Sequence, residues 1–488
     1  MNILVIDIGT TSIRGILYDQ RGETLDSCSI YTPVKIDANG QFVEQDPLVY
    51  RHALVNIVKT IAEHHPVEAI SVTAFRSAPT MVDREGNALC NFIMWQDTRN
   101  AGICRDLSRE NDFIYQHSGA KVNTVFTASK LTWLKRNAPD IYNRAYKAMI
   151  VPDYVVNFMT GEFATDHTYG SRTHVMDIHT LEWSDDLCLL FDIEQDKLLE
   201  LRSQGSIIGH VNAAFANLTN IKEGIPVISA GGDQQCGALG LGVLDCSTIE
   251  VNSGTGSFVI SLVDKPYLEN MNVICNVAAV PGKYTQEMNI IASASALNWL
   301  IREFFPEHWG EQPDFERINR IAEETPAGAN GLFCVPHFQG CGSRDWNPES
   351  RAQFYGFSLG SRRNDMVRAL YEGIAAEISK SIDALPAVCR RAESIAVAGG
   401  LSKSGVYNQI LSDVTGRSLV REQNAQATAY GAYISASVAL GLHSDYAAAL
   451  KQRRNAGVRI YTPNMENTRF YESYKQRTER FYRAGCEE

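Results

Sequence analysis

The 488-residue sequence predicts an α/β protein made of two related domains. One observation is a strand, Gly-Thr turn, strand unit that occurs twice, half a chain apart. Another is a pair of apolar β-rich runs, each ending in Gly-Gly ahead of a helix pattern. The third is an ordinary globular composition, with 44% hydrophobic and 21% charged residues. That composition excludes a largely disordered, collagen-like or coiled-coil chain. A net charge of −11 argues against nucleic acid as a partner, because phosphate backbones call for a basic surface. No apolar run reaches the roughly 18–20 residues that span a bilayer, so no membrane partner is expected.

The chain opens with MNILVIDIGTTSIRG. No basic stretch precedes its apolar run, so a strand and a turn are expected and not a signal peptide. Residues 5–19, VIDIGTTSIRGILYD, and residues 250–264, EVNSGTGSFVISLVD, share their layout. Gly9 matches Gly254, Thr10 matches Thr255, Ser12 matches Ser257 and Asp19 matches Asp264, each 245 positions apart. A repeat at that distance means duplicated domains and not a solenoid. Glycine at such a turn lets a ligand approach the backbone, and successive N–H groups form a concave anion site. Thr10, Thr11 and Thr255 add hydroxyl donors. Two such turns facing each other would clamp a polyphosphate. One alone is simply a hairpin turn.

Asp7, just before the first turn, is placed to hold Mg²⁺ through water. A turn-stabilising role is its plainer alternative. Asn252 takes its place in the second copy, so only one copy would hold metal. Arg14, in the second strand, could stabilise charge on a transferring phosphoryl group or be a solvated edge-strand cation.

Residues 225–242, IPVISAGGDQQCGALGLG, predict a strand, Gly-Gly, then Asp233 at a helix start. Ligands of open α/β folds sit at such junctions. Asp233 could take the proton of an attacking hydroxyl, or cap the helix. Residues 394–416 predict a strand over Ile395–Ala398, then Gly399 and Gly400, a polar cap and an amphipathic helix bearing Val406, Ile410 and Val414. There a base or ribose could approach backbone and a helix N-terminus could favour phosphate. The motifs GxxxxGK[ST] and GxSxG are absent. Residues 316–326 and the aromatic, basic tail 469–482 read as amphipathic helices, the tail's aromatic stripe as a docking face. Eleven cysteines without a CxxC pair, and histidines without HExxH, support neither a disulfide framework nor a zinc site. Reduced thiols and cytoplasmic residence are expected.

Together these segments resemble the FGGY carbohydrate kinase family, with motifs nearest to its glycerol kinases. IDIGTTSIRG resembles the first phosphate motif, SGTGSF the second, AGGDQQ the catalytic-base segment and VAGGLSKSGVYNQILSDVTG the adenosine segment. GQFVEQDP, MWQDTRN, SKLTWLKRN, SRTHVMDIHTLEW and FYGFSLG match further blocks in family order. The resemblance implies an actin/hexokinase/Hsp70-like ATPase fold, with mixed sheets flanked by helices and a cleft between two duplicated domains, 1–244 and 245–488. It implies transfer of the γ-phosphoryl group of Mg-ATP to a small sugar or polyol. By resemblance the base is Asp233. Phosphate contacts fall on Gly9, Thr10, Thr11, Arg14, Gly254 and Thr255, and adenosine contacts on Asn298, Gly399, Gly400 and Ser404. An actin-like ATP-binding regulator, or an ATPase without a metabolite acceptor, is the alternative class. Assembly stays open, with a homodimer among its outcomes.

Glycerol kinases hold glycerol with an Arg-Glu pair, a Trp, a Tyr, the Asp base and a Phe. Arg76, Trp95, Asp233 and Phe258 match these positions. Ser77 stands where the Glu would be and Val125 where the Tyr would be. Each missing polar contact costs about 0.5–3 kcal/mol. The expectation is a poor fit to glycerol and room for a larger sugar or polyol.

Overall fold

In the computed structural model the chain is described throughout except at residues 311–312, 423–425, 453–456 and 485–488. The first large sheet contains β1 (Ile3–Ile8), β2 (Ser12–Tyr18), β3 (Thr24–Tyr31), β4 (Ala69–Ala74), β5 (Ser206–His210) and β6 (Pro226–Gly232). Their order is β5-β6-β4-β1-β2-β3. The second contains β7 (Thr248–Ser253), β8 (Ser257–Val263), β9 (Ile274–Val277), β10 (Tyr284–Ile290), β11 (Ser394–Ala398), β12 (Ser418–Glu422) and β13 (Val458–Tyr461). Its order is β9-β10-β8-β7-β11-β12-β13.

The two sheets repeat one pairing series. From β3 to β5 the neighbours run antiparallel, antiparallel, parallel, parallel, antiparallel. From β10 to β13 the series is the same. The duplication suggested by two short motifs thus extends through each sheet, and β9 adds one strand at the edge of the second. The hairpins differ in one respect. Ile8 pairs with Ile13, whereas Ser253 pairs with Ser257. The second turn is one residue shorter. Beyond the turns, the sequence matches Ser12/Ser257 and Asp19/Asp264 therefore fall one position out of structural register. Because side chains alternate faces along a strand, Arg14 lies opposite Asp7 and Phe258 lies opposite Asn252.

Helix α1 (Pro47–Ala62) begins where Asp46 accepts the Leu48 N–H and Pro47 fills the first turn. It turns Tyr50, Leu54, Ile57 and Ile61 into the core of the first half. Helix α2 (Asp233–Gly240) follows β6 without a loop. In the second half α3 (Ala294–Phe304), α4 (Arg363–Ala384) and α5 (Gly405–Thr415) close over the second sheet, and Leu297, Ile374 and Ile410 join one core. The tail is helical in α7 (Met465–Ala484), with α6 (Ala427–Ala439) before it. Tyr471, Tyr474 and Tyr482 of the tail are buried, and Tyr474 stacks on Phe333 at 4.8 Å. Its aromatic stripe is a docking face. Among the described residues no helix is long and apolar enough to cross a membrane.

One helix ties the halves together. Although it lies far along the second half, α6 packs beneath the first sheet, where Ala429, Ala432 and Tyr433 share a core with Val5, Ile228 and Ala230. The buried Ser71 hydroxyl donates to the Ala432 carbonyl at 2.8 Å. Helices α2 and α6 meet at glycines. A Cβ on Gly431 would stand 1.9 Å from the Cys236 carbonyl oxygen, and one on Gly240 1.9 Å from that of Ala427. Only glycine permits this approach. Gly431→Ala is expected to force the two helices apart and cost about 1–3 kcal/mol, read as a lower Tm by calorimetry. Gly102→Ala, a helix position with open space around it, should leave Tm unchanged or raise it.

Candidate active site at the junction of the two halves

Strands β4 and β6 are parallel neighbours. The chain leaving the end of β4 carries Arg76, and the chain leaving β6 carries Asp233 as the first residue of α2. Adjacent strand ends therefore bring the two side chains together, with Arg76 Nε 3.5 Å from Asp233 Oδ1. Asp233 does not cap the helix through its side chain. Its Oδ1 accepts the neighbouring Gln234 N–H at 2.8 Å, and its side chain keeps 27% of its surface exposed. Burial pushes its pKa above the ordinary carboxylate value, with Arg76 opposing.

Arg76 is buried and reaches across to the second half. Its Nη1 donates to Glu287 Oε2 at 3.0 Å and to Gln235 Oε1 at 3.3 Å, and its Nη2 to Glu287 Oε1 at 3.4 Å. Glu287 lies on β10 and is buried, yet Arg76 and Arg172 outweigh that burial and hold its pKa below the usual value. Arg172 Nη1 stands 4.0 Å from Glu287 Oε1 and 3.5 Å from Asn276 Oδ1, and its guanidinium lies over the Phe126 ring at 4.4 Å. Its Nε is buried without a hydrogen-bond partner among the described residues. Burial, then the charge of Arg76, push its pKa down to about 9.

The sequence placed a serine where a carboxylate was expected beside Arg76. The structure supplies a carboxylate, Glu287, from the other sheet. No local signal near Arg76 could have revealed it, because the two residues are 211 positions apart. Arg172 lay in a matched block, but without an assigned role.

Ser77 itself is buried in the left-handed region at φ 68°. Its hydroxyl donates to the Arg172 carbonyl at 3.3 Å, so it forms wall and does not offer an open polar group. Buried Lys130 braces it, donating from Nζ to the Ser77 carbonyl at 3.0 Å and the Val125 carbonyl at 3.1 Å. Burial pushes the Lys130 pKa down to about 7. Val125 packs with Phe126, Ile274 and Trp346, whose indole nitrogen is buried without a partner among the described residues. Trp95 is 38% exposed and spends its indole N–H on the Thr10 hydroxyl at 3.1 Å, tying it to the first turn.

That turn is closed by the Gly9 N–H donating to the Ser12 carbonyl at 2.9 Å, while the Thr10 and Thr11 carbonyls accept from Gln45 Nε2 and the Thr32 N–H. Asp7 is buried and bonded to Arg14 at 2.6 Å. Since β2 lies between β1 and β3, Arg14 is not an edge-strand cation. Burial raises the Asp7 pKa, Arg14 opposes it, and the charge of Asp233 raises it further.

In the second half the Thr255 carbonyl accepts from the Ser293 N–H at 2.8 Å and the Ser295 hydroxyl at 2.9 Å, seating the turn on the start of α3. Asn298, on α3, has a buried Oδ1 without a partner among the described residues. Gly254 and Gly400 face open space, the nearest atom to a Cβ on Gly254 being 4.0 Å away. Gly399 has φ 85°, and a Cβ there would come within 2.5 Å of the Ser253 carbonyl. The segment after β11 and the second Gly-Thr turn thus meet at a glycine. Phe258, half-buried on β8, packs with Ala238 and Val243. Ser404 is committed elsewhere: it donates to Asn319 at 2.7 Å and caps α5 through the Tyr407 N–H.

A separate buried group, His337, Cys341 and Glu377, brings three metal-ligand atoms within 4.8 Å of one another. Arg344 at 2.7 Å and Lys380 at 3.6 Å already share Glu377, so its charge is met by cations.

Residues 2–240 match the N-terminal domain and residues 250–440 the C-terminal domain of the FGGY family of carbohydrate kinases. The chain belongs to the FGGY family. It is 28% identical to a glycerol kinase of Thermococcus kodakarensis over 98% of this chain and 96% of that protein. Among solved structures it resembles ligand-bound xylulose kinase from Lactobacillus acidophilus, at 22% identity and a TM-score of 0.93 over 99% and 98% of the two chains. It also resembles Plasmodium falciparum glycerol kinase with ADP, at 25% identity and a TM-score of 0.89 over 98% of each. The actin/hexokinase-like architecture expected from the motifs is the one observed, and the protein is a carbohydrate kinase.

In this FGGY kinase Lys130 braces the backbone on either side of the wall beside Arg76, at Ser77 and Val125. Lys130→Met would strand two buried carbonyls, each worth about 1–3 kcal/mol. The expected outcome in steady-state kinetics is an acceptor KM raised about tenfold or more, with the KM for ATP little changed.

Proposed function

We propose that the protein transfers the γ-phosphoryl group of ATP to a hydroxyl of a sugar or polyol, with Asp233 as general base. The observation that supports this most is the setting of Asp233. It stands at a strand end where the halves meet, it is held by Arg76, and it is open on one side. An acceptor between Arg76, Trp95 and Phe258 would present a hydroxyl to it. As the hydroxyl oxygen bonds to the γ-phosphorus, its proton passes to the Asp233 carboxylate and the bond to the β-phosphate oxygen breaks, releasing ADP.

The open glycines at 254 and 400 and the orphaned Asn298 oxygen fit a nucleotide. Thr10, Thr11 and Thr255 would hold its phosphates and Arg14 would meet their charge. Asp7 would hold Mg²⁺ through water once the phosphates draw Arg14 away from it, the like charge of Asp233 favouring a cation there. The metal would supply neutralisation of phosphate charge. A bare ATPase needs no nest of Arg76, Arg172 and Glu287 beside the base, which favours the kinase over an ATP-binding regulator.

Asp233→Asn should fold, bind ATP and lose about 10²–10⁴-fold in turnover. Because burial raises the pKa of this base, its ionised form is lost early as pH falls. kcat/KM should therefore drop on the acid side with an apparent pKa above the ordinary value of about 4. An acid limb at or below that value would contradict the assignment of the base.

The halves 1–244 and 245–488 are proposed to close on ATP and acceptor together, since Thr10 and Thr255 lie on different sheets. Small-angle scattering with a non-hydrolysable ATP analogue and acceptor should show a smaller radius of gyration, and an unchanged radius counts against closure. Glycerol should be a poor acceptor beside five- and six-carbon sugars or polyols, because Ser77 is turned into the wall and Val125 offers no hydroxyl. A panel of kcat/KM values decides this, and glycerol as the best substrate would overturn it.

A further inference from the structure

The acceptor side holds more charge than the reaction requires, and its arrangement bears on what can bind. Two buried guanidiniums, Arg76 and Arg172, face one buried carboxylate, Glu287, at 3.0 and 4.0 Å. Asn276 Nδ2 donates to the same carboxylate at 3.4 Å, and Asp233 flanks Arg76 at 3.5 Å. Two cations thus meet two anions. The neighbouring charges leave no spare cation. Arg99 is paired with both Asp97 and Glu44, and Lys130, near Asp97, has its pKa pushed down to about 7 by burial, so it is only partly charged at neutral pH. Asp7 is paired with Arg14. Glu250 is buried, and burial, with the like charges of Glu287 and Asp233, raises its pKa to about 8, favouring its uncharged form.

We propose that the acceptor is an uncharged polyhydroxy compound, a ketose or alditol and not an aldonate, because Glu287 occupies the carboxylate seat between Arg76 and Arg172. This rests on the kinase reading above. The guanidinium fork of arginine suits bidentate binding of a carboxylate. Here the protein's own carboxylate has taken that place from the second sheet. A third carboxylate beside Glu287 and Asp233 would meet like charges in a site where solvent screens poorly. A hydroxyl needs only a donor and an acceptor. Arg172 Nε, buried and unpaired among the described residues, offers the donor, and the open side of Asp233 offers the acceptor. Glu287 is 2% exposed and therefore acts through the arginines as a positioning residue.

The test compares kcat/KM for ketoses and alditols with aldonates of the same carbon number, using ATP. In the wild type the best uncharged compound should exceed its aldonate by at least about 100-fold. Glu287→Gln keeps the shape and removes the charge, so it should narrow that ratio about tenfold or more while the KM for ATP stays nearly constant. Circular dichroism and ATP binding check that the variant folds, and the wild-type ratio stands even if it does not. A wild-type preference for the aldonate, or a ratio unmoved by Glu287→Gln, overturns the proposal and leaves the kinase reading intact. ATP consumption independent of every acceptor would overturn both.

Discussion

The buried contact of Arg76 with Glu287 is the interaction on which the site depends. It joins an arginine beyond one sheet's strand end to a glutamate within the other sheet. Neither charge is tolerable alone at that depth. Removing one partner of a buried pair typically costs about 3–5 kcal/mol, because the other charge is left uncompensated. The pair therefore anchors the two halves to each other beside Asp233, a fixed point about which the rest of the cleft would close. Arg172 and Asn276 extend the arrangement, and Lys130 fixes the backbone beside it.

Around this contact the protein keeps local strain and unmet hydrogen bonds. Ser77 adopts a left-handed conformation that costs a non-glycine residue about 1–2 kcal/mol. Lys130 offsets part of it, since a hydrogen bond contributes about 0.5–1.5 kcal/mol. Arg172 Nε, Trp346 Nε1 and Asn298 Oδ1 are buried without partners among the described residues. Unpaired polar atoms are costly in a finished core.

The duplicated sheets show how one scaffold divides two tasks. Their pairing series is the same, but the shorter second turn places Phe258 where the first half has Arg14, and Asn252 stands for Asp7. The first hairpin carries a charge pair, Arg14 with Asp7. The second presents neutral groups beside the glycines that would receive the nucleoside. Helix α6 then crosses beneath the first sheet, so neither half finishes its core alone.

By itself, the sequence determined the duplication, the two Gly-Thr hairpins, the strand-to-helix junction at Asp233, the tail helix and the family. All of these are local: glycine at a turn, alternation in a strand and spacing on a helix leave marks within about twenty residues. It also singled out Arg76, which the structure places 3.5 Å from Asp233. What only the tertiary structure decided are relations between distant residues. Glu287 facing Arg76, Trp346 beside Val125, α6 beneath the first sheet and Lys130 gripping Ser77 leave no pattern in the chain. Each is set by how two sheets pack, and packing brings together residues whose separation in sequence carries no signal. The one-residue difference between the hairpins was hidden for a related reason. Matching letters at a constant offset follow the chain, whereas hydrogen-bond register follows the partner strand.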